Sequence, residues 1–138
     1  NMLDFRWRDC IPEIETTKKE RDITIHSRST FLQGLLASND PKLWSKAGIN
    51  ESSVITEWLE MVSLKNNCKS IMELALRYVI SFSWIDAVVI GFDNKGQAVN
   101  CVENLQKGPL SSESIDFIHN TRPFLPHESL DPSLWKTI

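Results

Sequence analysis

The stretch Asp86–Leu105, DAVVIGFDNKGQAVNCVENL, changes its hydrophobic period halfway along. Ala87 to Ile90 is a short apolar run rich in β-branched residues, which reads as a strand buried on both faces. Gly91 ends the run, and Asp93 and Asn94 follow as short polar residues able to cap a helix. Ala98, Cys101, Val102 and Leu105 then fall at i, i+3, i+4 and i+7, the apolar stripe of an amphipathic helix. Strand, glycine turn and helix in that order make a βα unit. A helix start facing the carboxyl end of a parallel strand is a natural anion site, because free N–H groups and the helix dipole point at the ligand. The same unit also occurs as plain scaffold that binds nothing.

Moving outward, Ser70-Ile71-Met72-Glu73 is a capping box. It predicts a helix to about Ser81 that buries Met72, Ala75, Leu76 and Val79. A helix over about Ser52 to Lys65 carries Val54, Ile55, Trp58, Leu59 and Val62 on one face and closes at Asn66 and Asn67. Asn39 to Ala47 reads as a loop with a short turn at Leu43 and Trp44. Asp22 to Arg28 alternates, with Ile23 and Ile25 opposite Thr24 and His26, and reads as a strand. Ser29 to Leu36 leaves that strand, and Gly34 permits a turn or a close backbone approach. A charged helix is expected from about Asp9 to Glu20, with Pro12 in its first turn. Asn1 to Asp4 reads as the tail of an earlier strand, so the chain is expected to be part of something longer. Beyond Gly108-Pro109, Ser111 or Ser112 caps a short helix through Ile118. The tail, residues 121–138, is expected to wrap the body as an extended segment.

Strands alternating with helical patterns indicate βαβ units and a parallel sheet. About two and a half such units are present, in one partial domain spanning residues 1–138. Two full strands cannot close a barrel, and alone they leave open sheet edges able to pair with another chain. The 138 residues carry a net charge of −3 with 41% hydrophobic and 24% charged residues. That balance supplies no electrostatic footprint for nucleic acid or a membrane surface. No apolar run approaches the roughly 20 residues of a spanning helix. Cys10, Cys68 and Cys101 are odd in number and far apart, which suggests neither a zinc site nor a disulfide framework. A cytoplasmic location with reduced thiols follows as the expectation.

Several segments resemble the aldo/keto reductases, nicotinamide-dependent enzymes built on a (β/α)8 barrel. ITIHSRSTFLQGLL, Ile23 to Leu36, is similar to the seventh barrel strand and its loop, where the family reads S-P-L-x-x-G-x-L. ELALRYV, Glu73 to Val79, is similar to the helix before the eighth strand. VVIGFDNKGQAVNCVENL resembles the eighth strand and the family's G-x-[SR]-x-x-x-Q-x-x-E-N cofactor loop. NMLDFRW looks like the exit from the sixth strand, and LDPSLW like tails in some branches. In order, these matches span essentially the whole chain. The resemblance therefore implies the C-terminal part of a TIM barrel, from the end of strand six through helix eight and the tail.

What the resemblance implies for the site is specific. Ser29, Thr30, Phe31, Leu32 and Gln33 inherit the loop that passes under the cofactor pyrophosphate. Gly91, Asp93, Gln97, Asn100 and Cys101 fall on the adenosine-phosphate loop and the first helical turns. The implied cofactor is NADP or NAD, and a small carbonyl is the substrate of the complete enzyme. Thr30 replaces the usual proline, and Cys101 replaces an asparagine that contacts adenine. Asp93 stands where a serine or arginine meets the 2′-phosphate, which favours a free 2′-hydroxyl; its other reading is as the helix cap. The family's catalytic aspartate, tyrosine, lysine and histidine belong to the first four strands, so no catalytic residue is expected in this chain. Tyr78, His26, His119 and His127 do not form a substitute set, and Ser27 and Ser29 lack a nucleophile elbow. The implied partner is an N-terminal half of the barrel. The competing class is a non-catalytic nucleotide-sensing or scaffold subunit, or a split-gene half that assembles with a separate chain.

Overall fold

The computed structural model describes residues 1–38 and 40–135. Helices dominate: α1 (Ile11–Glu20), α2 (Pro41–Lys46), α3 (Ser53–Lys65), α4 (Ile71–Val79), α5 (Lys95–Leu105), α6 (Ser112–Thr121) and α7 (His127–Leu130). They surround a small parallel sheet of β1 (His26–Ser27) and β2 (Ala87–Val88), in which His26 faces Ala87 and Ser27 faces Val88. Among the described residues, no helix is long and apolar enough to cross a membrane.

Four of the helices, α2, α4, α5 and α6, begin at a side-chain cap. Ser70 Oγ accepts from the Glu73 N–H at 3.1 Å, and Asn94 Oδ1 accepts from the Gln97 N–H at 3.0 Å. Each satisfies one of the first-turn donors that the helix itself leaves unpaired. Ser111 does the same for α6. The segment read as a loop after Asn39 instead forms α2, because Asp40 accepts from the Lys42 N–H at 2.9 Å and Pro41 takes the first helical position. Asn39 itself lies outside the described residues.

The core lies between α3, α4 and the chain's two ends. Leu59, Val62, Leu74, Ala75, Leu76 and Ile118 are buried, as are Met2 and Leu3, which sit in a turn where a strand end was expected. Val54 falls off the stripe of α3, at 66% exposed, while Ser63 takes a buried place on it. The strands are far shorter than their sequence patterns. Ile23 is exposed, and Val89, read as doubly buried, is 56% exposed. A parallel strand keeps its length by bonding neighbours on both sides, and among the described residues each strand bonds only the other. What ladder exists is clamped at its start: the Asp86 carboxylate accepts from the Ile25 N–H at 2.8 Å and from Lys18 Nζ at 2.6 Å. The tail also departs from the extended reading. It folds into α7 and a 3-10 turn at Pro132–Leu134, burying Leu125, Ser129 and Leu130. The last part of that tail, residues 136–138, lies outside the described residues.

Candidate functional site

Parallel pairing sends both strands out on the same side of the sheet. The loop after β1 and the loop after β2 therefore meet, and together with the start of α5 they wall a cavity of about 670 Å³. That volume falls within the roughly 300–1,000 Å³ of small-molecule sites. From the first loop come Ser29, Thr30, Phe31 and Gln33, and from the second Gly91 and Asp93. Gln97 and Cys101 add the first turns of α5. Eight of the ten residues singled out from sequence thus stand on one wall. Leu32 turns away, 1% exposed, into the lining of a second cavity of about 370 Å³. Asn100 is exposed on α5 and contributes nothing to the wall of the larger cavity.

The first loop is held in an unusual backbone shape. Ser29, Leu32 and Gln33 have φ of 62°, 44° and 54°, followed by Gly34 at 88°. Three non-glycine residues in the left-handed region cost on the order of 1 kcal/mol or more each, and such strain concentrates at ligand clamps. Thr30 is 2% exposed, and its hydroxyl finds no hydrogen-bond partner among the described residues. A buried hydroxyl left unpaired is costly.

The second loop is shaped by a reciprocal cap. Gln97 gives its N–H to Asn94, and its side-chain Oε1 accepts from the Asp93 N–H at 2.8 Å. Asn94 is therefore the cap, and Asp93 is not spent on it. Gly91 has ordinary backbone angles, and a Cβ placed there would meet nothing within 4 Å. Its contribution is open space beside the wall. Cys101 is 3% exposed, and burial pushes its thiol up, so it presents a neutral surface. No family model, curated protein or solved structure matches the chain.

Wall residues that the sequence did not single out include Ser38, Met72 and Phe92. Phe92 lay between two chosen positions and is 46% exposed, an aromatic ring available for stacking. Met72 was read as core; it is half-buried at the start of α4 and lines the cavity. No local pattern marks a helix residue as cavity lining, because that depends on which loop folds over it.

Proposed function

We propose that this chain is the cofactor-holding C-terminal part of an aldo/keto reductase barrel, gripping the adenosine-diphosphate half of a nicotinamide dinucleotide. The observation that carries the reading is the convergence of two strand-exit loops on one cavity at the start of a capped helix. In α/β proteins, ligands gather at the carboxyl ends of parallel strands. The strained backbone of the Ser29–Gln33 loop lies along that cavity, as a loop passing close to a ligand does. When bound, the nicotinamide supplies hydride to a small carbonyl. The proton-transferring residues come from an N-terminal half of the barrel, and this chain alone reduces nothing. The two open edges of the sheet are where that half would add its strands. A cytoplasmic setting fits a soluble cofactor and free thiols.

Gly91→Leu tests this site without touching the core. The side chain has room locally, so the thermal midpoint should hold within about a degree, in keeping with a substitution away from packed features. The new side chain fills the space beside the wall, and affinity for adenosine diphosphoribose should fall about tenfold or more. Calorimetric titration of both chains reads this directly. An unchanged affinity in the variant, or no binding by the parent chain, removes the proposal.

A further inference from the structure

We draw no further inference here: the strongest candidate, the second cavity of about 370 Å³ between β1, the end of α4 and the chain's tail, lined by Trp7, Tyr78, Phe82 and Trp84, carries nothing, because its wall is chiefly apolar and nothing in the structure shows what covers it.

Discussion

Glu73→Ala is expected to cost about 3 kcal/mol of folding stability, more than any surface ion pair could supply. The Glu73 side chain is 1% exposed in the first turn of α4. Lys107 Nζ lies 2.6 Å from one carboxylate oxygen, the Lys69 N–H donates to the same oxygen at 2.9 Å, and Arg77 stands 3.6 Å from the other. Burial pushes the carboxyl up, but Lys107, the Lys69 N–H and Arg77 outweigh it and hold Glu73 below the usual range, charged at neutral pH. The network joins two parts of the chain. Arg77 also donates to the Gly108 carbonyl at 3.0 Å, and Ser81 Oγ accepts from the Leu110 N–H at 2.8 Å. The exit of α5 is thereby fixed to α4, and α5 carries Gln97 and Cys101 of the cavity wall nearer its other end. Removing the carboxylate leaves the Lys69 N–H unpaired and a void beneath Lys107. Denaturant unfolding of Glu73→Ala, Lys107→Met and the double variant measures the coupling. A loss under about 1 kcal/mol for Glu73→Ala, with no coupling to Lys107, would show an ordinary surface pair.

The same network marks how far sequence could be read. Ser70 and Glu73 were legible as a capping box, because that motif is local. Its second half is not what the motif predicts: Glu73 reaches the Lys69 N–H and Lys107, 34 residues on, instead of its own cap residue. Helices α4, α5 and α6 were legible because their caps and apolar spacing lie within one or two turns, and α3 through its apolar spacing alone. Strand lengths were not, since the patterns over Asp22–Arg28 and Ala87–Ile90 describe strands with neighbours on both sides, and among the described residues each has only the other. On α5 the stripe of Ala98, Cys101, Val102 and Leu105 is only partly used. Cys101 is buried, while Val102 is 54% exposed and Leu105 is 38% exposed. An apolar stripe records which face is suited to burial, and it cannot say whether a covering surface exists in the same chain. At the site, eight of the ten positions that the resemblance to the aldo/keto reductases implied line one cavity. The left-handed backbone at Ser29, Leu32 and Gln33 left no trace, because none of these is a residue that sequence associates with positive φ.

Acid should loosen this chain before its carboxylates begin to protonate. His119 on α6 lies 2.9 Å, through Nε2, from the hydroxyl of Tyr78 on α4, and Trp7 and Phe82 pack around the pair. Burial, with Arg8 and Arg122 nearby, pushes His119 down to about 4 despite the opposing charge of Asp116. Burial likewise pushes Tyr78 up, so its hydroxyl keeps its proton and shares a hydrogen bond with a neutral imidazole. The unfolded chain takes up a proton on this histidine near pH 6.5, well before the folded chain does. Between those two values the unfolded state binds more protons, so stability rises with pH there. The contribution is complete above pH 6.5, declines as the pH falls, and is gone below about pH 4. Partial solvent contact of the ring screens some of it, leaving a loss of about 1–2 kcal/mol between pH 7 and pH 5. Glu73, Asp4 and Asp86, all held below their ordinary values, add their own losses only at lower pH. His119→Gln should be less stable at pH 7 yet lose almost nothing on going to pH 5, and Tyr78→Phe should lower stability at pH 7 by about 1–2 kcal/mol through the unpaired ring nitrogen. Denaturant melts of the three chains at both pH values read the slope directly. A parent chain as stable at pH 5 as at pH 7, or a His119→Gln variant with the same slope as the parent, would mean that this contact between α4 and α6 is not where the protons act.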